Sequence, residues 1–147
     1  MIDRYVNWLV ETATFGKRGN MIQGTELFAA VSFLVIGLSH LLQPKAWAAY
    51  FQTLAQRGPA GAFLEGFFLL NFGAIIVGFH NVWHGPATIL TLVGWAQVLK
   101  GLGRFVAPGL AVRMMTRASP ERAWVFQIGG GVAFGLGGFF GWLALAT

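Results

Sequence analysis

Residues 60–104 read AGAFLEGFFLLNFGAIIVGFHNVWHGPATILTLVGWAQVLKGLGR, and this stretch decides the fold. It contains two apolar arms separated by the polar segment His80–Pro86. Each arm is close to the length that a helix needs to cross a hydrocarbon layer of about 30 Å, at about 1.5 Å per residue. The break between them holds the turn formers Gly85 and Pro86. Because a backbone in lipid must satisfy its own hydrogen bonds, this stretch predicts a hairpin of two transmembrane helices.

The composition of the whole chain agrees with a membrane protein. Of its 147 residues, 56% are hydrophobic and 10% are charged, whereas soluble domains carry about 25% charged residues. The absence of cysteine excludes disulfides, thiolate metal sites and cysteine nucleophiles. The formal charge of +5 is typical of basic residues that flank membrane helices and contact anionic lipid. We therefore predict the lipid bilayer and anionic lipids as partners, and no nucleic acid.

The chain divides into four predicted spans within a single membrane domain, residues 1–147. The spans cover residues 21–42, 60–79, 86–104 and 123–146. Amphipathic patterns at 45–56 and 108–118 predict two helices that lie along the membrane surface. Residues 1–20 predict a further interfacial helix, with an apolar face of Ile2, Tyr5, Val6 and Leu9, followed by a loop at 16–20. The predicted fold is an all-α, integral membrane four-helix bundle with interfacial amphipathic helices.

The first span carries its ionisable residues on one stripe. Glu26, Ala30, Phe33, Gly37 and His40 recur at helical spacing. Intramembrane ionisable groups almost always face protein or water, so this stripe is expected to point into the bundle.

Basic residues predict the orientation of the chain. The side that holds the two surface helices carries seven of them: Lys45, Arg57, Lys100, Arg104, Arg113, Arg117 and Arg122. The other side carries Arg4, Lys17 and Arg18. By the positive-inside rule the surface helices are cytoplasmic and both termini are outside, that is, periplasmic.

The sequence also contains an internal repeat. With an offset of 64 residues, the segment 37–44 (GLSHLLQP) aligns without gaps with 101–108 (GLGRFVAP), Gly66 aligns with Gly130, and Gly73 aligns with Gly137. Chance matching in a glycine-rich chain is the alternative. We favour duplication, because the segments match at a structural boundary. Each half is then a span, a surface helix and a returning span, and the pseudo-twofold axis follows the membrane normal.

Glycines in the fourth span predict close helix packing. They form two grooves, Gly131/Gly135/Gly138 and Gly130/Gly137/Gly141. Such spacings let backbones approach each other, and two grooves predict two neighbouring helices.

Polar residues near the outer end form one candidate site. It comprises Glu26, His80, Asn81 and His84. Two histidines and a carboxylate suit a divalent transition metal, but the Gly85–Pro86 break makes helical spacing of the histidines doubtful. A short His/Asn/Trp turn also caps helix ends and anchors an aromatic belt. We favour the turn without metal.

A second polar cluster lies near the inner end and comprises His40, Glu65, Lys100 and Arg104. It suits either a proton or ion relay or a charge pair that satisfies buried groups, and we favour the charge pair. Haem between two histidines is not expected, because His40 and His80 lie on opposite sides of the membrane. We predict no cofactor.

No pattern for catalysis stands out. The sequence offers no nucleophile–base pair, phosphate loop or paired carboxylates, and the Gly129–Gly131 run lies inside an apolar span rather than after a strand. We therefore predict that the protein is not an enzyme.

Part of the chain resembles a known group of proteins. The residues that carry the likeness are 79–83 (FHNVW), Gly94-Trp95, Lys100-Gly101 and Pro108, within residues 35–108. They are similar to small four-span bacterial integral membrane proteins with an FHNxW…GW…KG…P pattern. The resemblance implies a bacterial inner membrane and a four-helix fold, and it supplies no activity.

Three functions remain open at this point. The first is a non-catalytic accessory or structural subunit of a larger membrane complex, or a homo-oligomer. The second is a small carrier or channel for ions, protons or small solutes. The third, a metal-binding membrane enzyme, requires the outer histidines to hold a metal.

Overall fold

The protein is a bundle of long helices. A computed structural model describes residues 2–146, with all side chains in that range except those of residues 2, 3, 5, 9 and 15. The helices are α1 (Ile2–Leu42), α2 (Pro44–Gln56), α3 (Pro59–Phe79), α4 (Thr88–Val106), α5 (Pro108–Met115) and α6 (Trp124–Ala146), with a 3-10 turn at Pro120–Arg122. Within that range, α1, α3, α4 and α6 are long and apolar enough to span a membrane. The predicted all-α, four-span fold is confirmed.

Three of the helices begin with proline. Pro44, Pro59 and Pro108 stand in the first turns of α2, α3 and α5. Proline suits this position because a backbone N–H in the first turn has no acceptor within the helix, so that its absence loses no hydrogen bond. Helix α5 ends at Met115, earlier than the predicted 118, and α4 begins at Thr88 rather than at residue 86.

The structure differs from the prediction at the N-terminus. Residues 16–20, predicted as a loop, are helical, so that α1 is one helix of 41 residues. Gly16 and Gly19 weaken a helix by about 1 kcal/mol each without removing a hydrogen-bond donor as proline does, so the helix continues through them. No break separates an interfacial helix from the first span. The predicted face of Ile2, Tyr5 and Leu9 lies outside the described side chains.

The four long helices associate as two close pairs, α1 with α6 and α3 with α4. A Cβ added at Gly37 in α1 would lie 2.5 Å from the backbone nitrogen of Phe134 in α6. A Cβ added at Gly101 in α4 would lie 2.6 Å from the backbone nitrogen of Leu70 in α3. The offset of 64 residues relates the two contacts, because Gly37 corresponds to Gly101 and Phe134 corresponds to Leu70.

A second contact repeats in the same way. A Cβ at Gly137 would lie 2.7 Å from Leu34 N, and a Cβ at Gly73 would lie 2.6 Å from Val98 N. These residues are again related by the offset of 64. The helix contacts therefore follow the duplicated register, and each half contributes one helix to each pair.

Apolar side chains fill the centre between the pairs. Ile76, Leu90 and Phe140 are fully buried, and Phe33 packs edge-on against both Phe72 and Phe140. The stripe from Glu26 to His40 faces this core and α6, as predicted. A separate cluster of Leu54, Ala62, Ala111 and Met115 joins the surface helices α2 and α5 to the start of α3.

Candidate functional site

A fully buried polar side chain lies where α3 ends. Phe79 is the last residue of α3, and the next residue, His80, leaves the helix while its N–H donates to Ile76 O at 2.7 Å. The chain then turns through Gly85, whose φ of 62° is unfavourable for other residues. The His80 side chain itself is fully buried.

His80 meets Glu26 of α1 there. His80 Nε2 lies 3.1 Å from Glu26 Oε1, and the two side chains are 0% and 1% exposed. Burial of an isolated carboxylate costs several kcal/mol, so Glu26 depends on this partner. The two residues are 54 apart in sequence, and their contact joins the two helix pairs.

Thr91 of α4 fixes the other side of the imidazole. Its Oγ1 lies 2.8 Å from Val82 O, 3.1 Å from His80 O and 3.4 Å from His80 Nδ1, and it accepts from Val82 N–H at 3.0 Å. A hydroxyl has one proton to donate, and a carbonyl oxygen is its strongest acceptor here. Thr91 Oγ1 therefore presents a lone pair to Nδ1.

The imidazole thus lies between two side-chain oxygens, with Nδ1 facing Thr91 Oγ1 and Nε2 facing Glu26 Oε1. The second oxygen, Glu26 Oε2, is buried and accepts no hydrogen bond from the described residues. The pair therefore leaves one buried carboxylate oxygen without a donor in the described part of the chain.

The pair has no polar counterpart in the other half of the chain. At the offset of 64, the counterparts of Glu26 and His80 are Leu90 and Ala144. Both counterparts are fully buried. One half of the protein thus carries a polar pair where the other half carries apolar residues.

The remaining residues of the predicted outer cluster do not join the pair. Asn81 and His84 are exposed, and the Asn81 Oδ1 atom accepts from Trp83 Nε1 at 2.8 Å. Among the described side chains, no three His, Cys, Asp or Glu residues come close enough to hold a metal. His84 is exposed on the segment that follows α3 while His80 is buried, so the structure does not bring the two predicted histidines together.

The inner cluster also divides. Arg104 Nη2 donates to Glu65 Oε1 at 3.1 Å, and Arg104 Nε lies 2.8 Å from Glu65 Oε2 as an ion pair without hydrogen-bond geometry. Both side chains are partly buried. Lys100 is exposed. His40 stacks on Trp47 at a centroid distance of 3.9 Å, and its Nδ1 lies 2.8 Å from Ile36 O.

The glycines of α6 lie on two faces of the helix. Gly130 and Gly137 pack against the α1 backbone, and a Cβ at Gly141 would meet Ala30 Cβ at 3.7 Å. In the other groove, a Cβ at Gly131 would meet only Leu41 Cδ2 at 4.0 Å, and Gly135 and Gly138 have no atom within 4 Å. Of the two predicted grooves, α1 therefore fills only Gly130/Gly137/Gly141, and the groove Gly131/Gly135/Gly138 has no neighbouring helix among the described residues.

Comparison of the chain with protein families, with curated proteins and with solved structures finds no match. The resemblance to four-span bacterial membrane proteins therefore stays a prediction.

Sequence reasoning missed the role of Thr91. The usable signal was its place in the first turn of a helix that follows a short polar turn. There, a hydroxyl can reach the free backbone groups of the turn.

Proposed function

We propose that this protein is a non-catalytic, multi-pass membrane protein that acts by lateral helix packing, as an accessory subunit of a larger membrane assembly or as a homo-oligomer. The open glycine groove of α6 carries this proposal. The other groove of the same helix, Gly130/Gly137/Gly141, is filled by α1, whose backbone packs directly against two of these glycines. A glycine groove thus already serves as a helix-packing surface in this chain. A neighbouring membrane helix is the occupant that the open groove fits.

The centre of the bundle supports a structural role over transport. Between the Glu26–His80 pair and the Glu65–Arg104 pair lie Phe33 and the cluster of Ile76, Leu90 and Phe140. A water-filled path or proton wire needs polar groups at this depth. The apolar filling therefore favours packing as the main activity.

The experiment is extraction in mild detergent, followed by measurement of the mass and identity of everything that purifies with the protein. A Gly135→Leu/Gly138→Leu variant blocks the open groove without an internal clash. Gly78→Leu/Gly103→Leu is the matched control, because these glycines are also exposed and have no atom near an added Cβ. We expect a stoichiometric complex that the first variant loses and the control keeps. A lone wild-type monomer would contradict the proposal.

A carrier remains the second candidate because of one observation, the fully buried Glu26–His80 pair that only one half possesses. It predicts uptake or conductance in liposomes that falls when Glu26 or Glu65 is neutralised. Transport unchanged by Glu26→Gln would remove this candidate.

For location, we propose a bacterial inner membrane with both termini on the periplasmic side. The support is the charge distribution: the end formed by α2, α5 and the start of α6 carries seven of the ten basic residues.

A further inference from the structure

A groove with two arginines opens at the end of the bundle where α5 meets α6. Met114, Arg117 and Ala118 line it from α5 and the following turn, and Arg122, Val125 and Phe126 line it from the start of α6. Its volume is about 290 Å³. Apolar side chains thus form the wall, and two guanidinium groups provide the charge.

Both walls of the groove contact α2. Phe126 stacks on Phe51 of α2 at a centroid distance of 5.6 Å. Gln52 Nε2 donates to Ala118 O at 2.9 Å, which ties α2 to the end of α5. Because both walls are anchored to the same surface helix, the groove is formed before any ligand arrives.

Within the described part of the chain, neither Arg117 nor Arg122 forms an ion pair with a carboxylate. This end of the protein carries seven basic residues but only two acidic ones, Glu65 and Glu121. Arg104 already binds Glu65. The hydrogen bond from the Ser119 hydroxyl lowers the pKa of Glu121, with Arg122 a smaller cause, so Glu121 is directed mainly to its own turn.

We propose that this groove binds the headgroup phosphate of an anionic phospholipid. Arg117 and Arg122 bind the phosphate oxygens, for which the planar guanidinium is well suited. Met114, Val125 and Phe126 contact the glycerol and the first acyl carbons. The position of the groove along the membrane normal also fits, because the groove lies where the apolar helix α6 begins. Basic pockets near the ends of membrane helices are known lipid-binding sites.

The test uses purified full-length protein in mild detergent. It is incubated with phosphatidylglycerol or with phosphatidylcholine of the same acyl chains, and the lipid retained per protein is counted by native mass spectrometry. We expect one phosphatidylglycerol to be retained per chain, and phosphatidylcholine to be lost. Arg117→Gln/Arg122→Gln should reduce affinity for phosphatidylglycerol by roughly 30-fold, from the loss of two cationic contacts.

The control removes equal charge at the same end but outside the groove. Lys45→Gln/Arg57→Gln changes two exposed basic residues and should retain phosphatidylglycerol. An equal loss in this control, equal retention of both lipids by the wild type, or displacement of the lipid by millimolar inorganic phosphate would overturn the proposal. If the groove variant does not fold, the wild-type comparison of the two lipids and the phosphate competition still decide it. The measurement counts lipid on each chain, so it is independent of oligomeric state.

Discussion

His80 Nε2 lies 3.1 Å from Glu26 Oε1, and this contact connects the α1–α6 pair to the α3–α4 pair. Deeper in the bundle the two pairs meet through aromatic side chains such as Phe33 and Phe72. Because Thr91 holds the imidazole from α4, the polar contact fixes the α3–α4 turn as well as α1. This polar contact therefore couples the two helix pairs where α3 ends.

The first prediction concerns this pair. Glu26→Leu alone should reduce the free energy of unfolding by about 3 kcal/mol, because it leaves a buried imidazole without its acceptor. His80→Phe alone should cost a similar amount, because the carboxylate is then buried without a cation. Unfolding in mixed detergent micelles, followed by circular dichroism, measures both values.

The double variant Glu26→Leu/His80→Phe is the control. Replacement of a buried ion pair by apolar residues of similar volume is often neutral, and the other half of this protein already carries Leu90 and Ala144 at these positions. We expect the double variant to be more stable than either single one. Additive losses would show that the pair is not a coupled unit.

The second prediction tests the duplicated interfaces. Gly37→Ala and Gly101→Ala should each destabilise the protein by about 1–3 kcal/mol, because the added methyl group would lie within 3 Å of a facing backbone. The two losses should be similar, because the two glycines occupy equivalent positions. The same detergent unfolding experiment measures them.

Matched glycines nearby provide the control for helix propensity. Gly103 in α4 and Gly129 in α6 have no atom within 4 Å of an added Cβ. Alanine at either position should be neutral or stabilising by up to about 1 kcal/mol. Destabilisation at these sites as large as at Gly37 would mean that the loss does not come from the helix interfaces.

The spans and the repeat were accessible from the sequence for separate physical reasons. Lipid selects long apolar segments, so hydropathy alone located the last three spans, and the end of the first, to within a few residues. The offset of 64 was visible because glycines that pack against a backbone cannot be replaced freely. The identity of each helix partner was not accessible, because an apolar segment has the same composition whichever helix it faces.

Local chemistry explains what the sequence left open at the site. Depth along the helices placed Glu26 and His80 at the same end. It could not separate His80 from His84, since that depends on where α3 ends. The sequence did not predict that α1 continues through Gly16 and Gly19, because glycine occurs in membrane helices as well as in loops.

The third prediction concerns Glu65 and Arg104. This pair is 14% and 17% exposed, so water stabilises its charges when they are separated. Arg104→Gln should therefore cost only about 1 kcal/mol, well below the loss at Glu26. Arg104→Lys should retain part of the interaction, because an ammonium group keeps the charge but cannot bind both carboxylate oxygens side-on. A loss as large as that of Glu26→Leu would contradict the assignment of this pair to a partly solvated site.

The fourth prediction tests the proposed orientation, and the absence of native cysteine makes it direct. His84→Cys places a thiol on the exposed turn after α3, and Glu121→Cys places one on the exposed turn before α6. In intact cells, a membrane-impermeant thiol reagent should label His84→Cys at once and Glu121→Cys only after permeabilisation. The opposite pattern would place Arg117 and Arg122 outside the cell, against the positive-inside rule. The groove would then face the outer leaflet, so this measurement also determines which leaflet supplies its phospholipid.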